Sequence, residues 1–192
     1  GKVTREAFGQ GMHAILESSC WHAATDEGRR QTELVAFMDG TRRLRQDFVE
    51  SLHGLNVLVC GDDAWRACAE QCLPYISYER ELASAYRRCR INLNRTSIQM
   101  PTAVNQRIFD CPMAGGFLLT DAQADLEQWF LPDYEIVTFT THEEARDKIL
   151  FYENHPTLRT RIVQNAQTKI AQHHTYRHRL QTLQKHLLSL FS

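Results

Sequence analysis

The chain is expected to be an α/β protein built on a Rossmann-like parallel sheet of about six strands with helices on both faces. Three observations predict this. Short apolar runs alternate along the chain with longer segments whose apolar residues recur every three or four positions. Right-handed crossovers between parallel strands leave few other topologies for such an alternation. With 192 residues, 43% apolar and 23% charged, the chain has an ordinary globular composition and enough length for one sizeable core.

Residues 1–30 are expected as an N-terminal helical segment or interdomain connection, because Phe8, Met12, Ile15 and Leu16 fall on one helical face. Residues 31–192 would form the main domain. Within it Glu33–Met38 reads as a buried strand stopped by Asp39-Gly40, and the helix that follows carries Leu44, Phe48 and Leu52 on one face. Strand Asn56–Cys60 comes next. A helix then aligns Trp65, Cys68, Ala69 and Cys72, which assigns the two cysteines to packing. After an extended "PYIS", a helix turns Leu82, Ala85, Tyr86 and Cys89 inward and leads to strand Ile91–Asn94.

Residues 95–103 are polar and aperiodic, and read as a loop. A helix is expected from Val104 to Ala114, kinked or ended by Pro112, which removes a backbone donor; strand "GFLLT" follows it. Glu135–Phe139 is the next strand. Thr141 and Glu144 have capping-box spacing at the start of the helix after it. Pro156 opens a helix bearing Leu158, Ile162 and Ala166, and Thr175 caps a last amphipathic helix with Leu180, Leu183, Leu187 and Phe191.

A net charge of −1 gives no long-range attraction for nucleic acid, so any basic site must be small. The six cysteines, Cys20, Cys60, Cys68, Cys72, Cys89 and Cys111, lack paired CxxC spacing and read as reduced thiols of a cytoplasmic protein. No apolar run approaches the roughly 18 residues of a membrane span. The start lacks both a secretory apolar region and a methionine, so the chain reads as part of a longer protein.

Ligands of parallel sheets sit beyond the carboxyl ends of the strands, and this directs attention to the residues just after each run. Gly40 would open a helix whose amides, with Arg42 and Arg43, suit a diphosphate; a turn glycine with solvated arginines fits equally well. The GxGxxG fingerprint of dinucleotide binding is missing. Arg107 and Asp110 stand three apart on one helix, a spacing that suits either a surface ion pair or a phosphate-and-ribose clamp. Gly115-Gly116 would allow close approach of backbone and ligand. Periodicity does not choose among these. Of the nine histidines, His174 and His178 are at i, i+4 but have no glutamate between them as in H-E-x-x-H, so no metal is assigned.

Taken together and in order, "INLNRT", "NQRIFDCPMAGGFLLTD", "EIVTFTTHEEA", "NHPTLRTRIVQNAQ" and "HHTYRHRL" resemble the carboxyl-terminal half of the CgeB-type, spore-maturation-like glycosyltransferases, group 1 members of the two-domain GT-B fold. The likeness extends upstream through "LVAFMDGTRRLRQDFVESLHGLNVLVCGDDAW" and covers about residues 31–190. It implies a bacterial enzyme's nucleotide-sugar-binding domain, with uridine the default base and no tightly bound cofactor. Its partner would be an acceptor-binding amino-terminal domain outside this chain, which would leave the piece alone nearly inactive. The sequence contains no D-x-D, so a metal on the sugar diphosphate is not required. By this likeness Asp110 holds the nucleotide ribose, Arg107 precedes it, and Arg107 with Arg42 or Arg43 assists departure of the diphosphate. Tyr75 to Tyr78 would lie near the base, and Asn94 would face the cleft. Asp110 is one methylene shorter than the family's glutamate, and Thr102 stands where related retaining enzymes carry a second one. The alternative is a non-catalytic Rossmann-like module that binds a nucleotide or a protein.

Overall fold

The structure is a computed structural model in which residues 25–191 are described. The expected helix through Phe8, Met12, Ile15 and Leu16 lies outside them. The elements, in order, are α1 (Asp26–Ser51), β1 (Leu58–Cys60), a 3-10 turn (Asp63–Ala67), β2 (Gln71–Leu73), α2 (Leu82–Arg88), β3 (Asn92–Asn94) and α3 (Arg107–Met113). They continue with β4 (Leu118–Asp121), a second 3-10 turn (Ala124–Gln128), β5 (Val137–Phe139), α4 (His142–Glu153), α5 (Pro156–His173) and α6 (Tyr176–Leu190). The chain divides into two compact units, one within Gly1–Ile76 plus Arg95–Thr102, the other Ser77–Asn94 plus Ala103–Ser192.

In the first unit, α1 replaces the expected strand at Glu33–Met38. Its start is fixed by Thr25, whose Oγ1 accepts the Gly28 amide at 3.1 Å, and by Asp26 and Glu27 in the first turn. From there the helix runs unbroken through Gly40, so Leu34, Val35 and Met38 are exposed while Leu44, Phe48 and Leu52 are buried. Thr41 ties α1 to the polar loop: its Oγ1 lies 3.0 Å from Ser97 Oγ and accepts the Ile98 amide at 3.2 Å. The expected helix at Trp65–Cys72 shortens to one 3-10 turn, capped by Asp62 on the Ala64 amide. Cys72 falls instead in β2, which pairs in parallel with β1.

The second unit carries a three-stranded parallel sheet in the order β3-β4-β5, with Asn94 opposite Thr120 and Thr120 opposite Thr138. The α/β class and the parallel strands hold, but among the described residues five strands in two small sheets replace the expected single sheet of about six. β4 is buried throughout, as expected of a central parallel strand. Helix α3 packs against β4 and α5, and α4 against β5. The core joins Tyr86, Ile108, Cys111, Leu118, Leu126, Phe130, Ile136, Ala166 and Ile170. Each large apolar side chain there contributes about 1.5–3 kcal/mol by leaving water.

Local signals that required only nearby residues are realised. Glu144's amide donates to Thr141 Oγ1 at 3.1 Å, and Thr140's amide donates to Glu144 Oε2 at 2.7 Å. Thr175 and His178 form a capping box at the start of α6. Pro112 sits one residue before the end of α3, which closes through Ala114, Gly115 and Gly116 amides onto the Asp110, Pro112 and Cys111 carbonyls. Cys89, expected on the inner face, is an exposed C-cap of α2.

Candidate polar site at the carboxyl ends of β3 and β4

The second unit gathers its buried polar groups where β3 and β4 end. Asn94, Thr120 and Asp121 are each only 1% exposed, and Gln123 is 7% exposed. A buried amide must find partners or lose its hydration uncompensated. Asn94 finds three: its Nδ2 donates to Thr120 Oγ1 at 2.9 Å, and its Oδ1 accepts from Asn105 Nδ2 and Arg107 Nη1, both at 3.0 Å. Gln123 Nε2 donates to Asp121 Oδ2 at 2.7 Å.

The strand register explains the cluster. Asn94 and Thr120 are paired positions on neighbouring parallel strands, so their side chains stand on the same face of the sheet. Asn105 then turns the incoming chain, its Oδ1 accepting the Arg107 amide at 3.1 Å in an Asx turn that starts α3. Arg107 is thereby aimed back at the sheet edge.

Arg107 and Asp110 do not pair with each other, although they are three residues apart. Arg107 reaches Asn94 and also bonds Tyr86, whose phenol is raised by burial and pulled back partly by that guanidinium. Asp110 Oδ2 instead accepts from Tyr78 Oη at 2.7 Å and Gln106 Nε2 at 3.2 Å, and Gln106 Nε2 also reaches Tyr78 Oη at 2.8 Å. The Asp110 carboxylate, bonded to it, raises the Tyr78 phenol above its ordinary value. The result is a half-buried cation and a half-buried carboxylate one helical turn apart, each held by its own neutral partners.

Asn94 and Arg107 share one hydrogen-bonded cluster and Tyr78 and Asp110 another, both within the second unit, whereas the remaining expected site residues enter neither. Gly40 lies inside α1 and opens no helix, which removes the strand-to-helix turn expected of it. Arg42 and Arg43 follow it on α1 and grip Asp39 at 2.5 and 2.6 Å, holding that carboxyl below its usual range. Space beside Gly116 is filled by protein: a Cβ there would meet Asn92 Nδ2 and Cys111 Sγ at 2.8 Å and the Tyr86 carbonyl at 2.9 Å. Gly115, at φ +91°, forms the left-handed turn after α3.

Sequence reasoning missed Gln106 and Gln123. Gln106 had a readable signal, since glutamine four residues before aspartate on a helix is a standard hydrogen-bonding pair. Gln123 had none, because its partner depends on how the chain bends after β4. His178, weighed for a metal, places Nδ1 2.7 Å from Thr175 Oγ1, and His174 packs among Phe109, Trp129 and Phe130. Burial lowers the His174 pKa. Among the described residues no group of three His, Cys, Asp or Glu side chains is placed to hold a metal ion.

The family described as glycosyl transferase-like matches residues 42–185, more than half of the chain. No curated protein and no solved structure matches significantly.

Proposed function

Since the chain belongs to this glycosyl transferase-like family, we propose that its second unit holds the donor of a metal-independent glycosyl transfer of the GT-B kind, a nucleoside diphosphate sugar with uridine as the preferred base. The observation that carries the reading is the arrangement of Arg107 and Asp110 beyond the carboxyl ends of β3 and β4, where ligands of parallel sheets lie.

In this reading Arg107 faces the diphosphate. Its anchoring on Asn94 fixes the guanidinium before the donor arrives, and a preorganised cation stabilises charge that develops on a leaving diphosphate without reorganisation at that moment. Asp110 takes the ribose. An ionised carboxylate accepts from two adjacent hydroxyls, and Tyr78 and Gln106 hold Oδ2 so that Oδ1 is presented in a defined direction. Tyr78 is 53% exposed, which suits a ring that packs against the base or sugar edge. Transfer would then proceed by displacement at the anomeric carbon, with the bond to the diphosphate oxygen breaking as the acceptor oxygen bonds.

Thermal unfolding with UDP, GDP, ADP and dTDP tests the assignment. A rise in Tm that is selective for one nucleoside diphosphate, and larger for UDP than for the others, is the expected result. Equal and negligible shifts with all four would contradict it.

A further inference from the structure

The first turn of α6 is held far more firmly than the rest of that helix. Thr175 caps it, with its Oγ1 2.7 Å from His178 Nδ1 and its amide 3.3 Å from the same nitrogen. Just before the cap, the His174 ring packs 5.7 Å from Phe109, 5.4 Å from Trp129 and 6.0 Å from Phe130. One turn on, the Arg179 guanidinium lies 4.6 Å from the Trp129 ring and 5.4 Å from the Phe109 ring. Past Arg179 every residue through Phe191 is exposed, so the anchoring serves the start of the helix.

What stands at that start is Tyr176. It precedes Arg179 by three residues and so shares its side of the helix, the side that Arg179 sets against Phe109 on α3. Asp110 is the next residue of α3, and Tyr78 Oη is 2.7 Å from its carboxylate. The two tyrosines therefore approach one turn of α3 from different elements. Their phenols are near enough to interact: Tyr78 ionises late chiefly because Asp110 holds its proton, and in smaller part because the Tyr176 phenol opposes a second negative charge. Yet Tyr176 is 86% exposed and Tyr78 53% exposed. A tyrosine that only completes a core buries its ring, whereas these two keep theirs open.

An aromatic face that is fixed in place and open to water suits another flat π-system, and a nucleobase is one. With Asp110 on the ribose, the base carried by that ribose lies one bond beyond the sugar ring, on the stretch of surface that the two tyrosines border. We propose that Tyr176 is a wall of the nucleobase subsite, its ring stacking on the base of the donor while Tyr78 borders the base from the Asp110 side. The assignment rests on the donor-site reading of Arg107 and Asp110 and adds the last helix to it. His174, Thr175 and Arg179 then act as positioning residues for Tyr176.

Calorimetric titration of the full chain with UDP and with inorganic diphosphate tests this, with Tyr176→Ala, Tyr176→Phe and Arg107→Ala beside the parent. Tyr176→Ala should bind UDP about tenfold more weakly, the loss of one stacking contact. Tyr176→Phe keeps the ring and should bind UDP as the parent does. Tyr176→Ala should leave the affinity for inorganic diphosphate unchanged, since that ligand has no base, and the unfolding transition in place, since the ring is exposed. Undiminished UDP affinity in Tyr176→Ala, with the Arg107→Ala loss intact, overturns the base wall and leaves the donor site standing. A Tyr176→Ala loss that Tyr176→Phe shares, or that extends to inorganic diphosphate, also overturns it. Absence of UDP binding by the parent overturns both readings together.

Discussion

Arg107 Nη1 lies 3.0 Å from Asn94 Oδ1, so a guanidinium half-open to solvent is anchored on an amide that is 1% exposed at the end of β3. The stability of the sheet edge and the aim of the cation thus depend on one side chain. Asn94→Ala leaves Thr120 Oγ1, Asn105 Nδ2 and Arg107 without that partner. It should lower unfolding stability by about 1–3 kcal/mol in a urea titration and weaken nucleotide binding together with it.

Tyr78 reports on Asp110. Because the carboxylate holds the phenol proton, Tyr78 ionises above the ordinary tyrosine range. Subtracting the alkaline absorbance titration of Tyr78→Phe from that of the parent isolates this residue, and Asp110→Asn should return its midpoint toward the ordinary value. An unchanged midpoint in Asp110→Asn would show that the bond does not persist in solution.

Glu144 makes stability depend on acid. Lys148 first, and then Thr140, hold its pKa down from 4.5 to about 2 in the folded protein. A depressed carboxylate stabilises fully above its unfolded pKa and loses that contribution as pH falls through the folded one, here between 4.5 and about 2. Its side chain is 35% exposed, so screening limits the contribution to no more than about 1 kcal/mol. Glu144→Gln should flatten the stability profile within that window and leave its shape near neutral pH unaltered.

The two glycines after α3 should respond differently to alanine. Gly116 is closed in by Asn92, Cys111 and the Tyr86 backbone at 2.8–2.9 Å, so Gly116→Ala should cost about 1–3 kcal/mol through overpacking. At Gly115 the new methyl would stand 3.3 Å from the flexible Arg87 side chain, and the cost is mainly the left-handed φ, about 1 kcal/mol. Chemical denaturation of the two variants checks the order.

Much of this fold was legible wherever a signal is local. The Thr141 and Thr175 caps, the Leu44, Phe48 and Leu52 face, and the closing of α3 at Pro112 all depend on residues within one or two helical turns. Glu33–Met38 was misread because the five-residue apolar run Leu34–Met38 carries no period of its own; here Thr25, several residues upstream, had already started a helix that passes through it. The same error misplaced Gly40, Arg42 and Arg43, whose expected role required a strand before them. The rule that ligands sit past strand ends chose the region to inspect; the structure places Arg107 on Asn94 and Tyr78 on Asp110 within the second unit. Their pairings were not legible, because which side chain Arg107 meets depends on the β3–β4 register and on the Asn105 turn rather than on helical spacing.

Calorimetric titration of UDP into the full chain and into Arg107→Ala and Asp110→Ala tests the donor-site assignment most directly. Binding to the parent that is lost or weakened at least tenfold, about 1.4 kcal/mol, in both variants is the predicted result. Binding of undiminished strength in both variants, or none to the parent, would contradict the assignment of Arg107 to the diphosphate and Asp110 to the ribose.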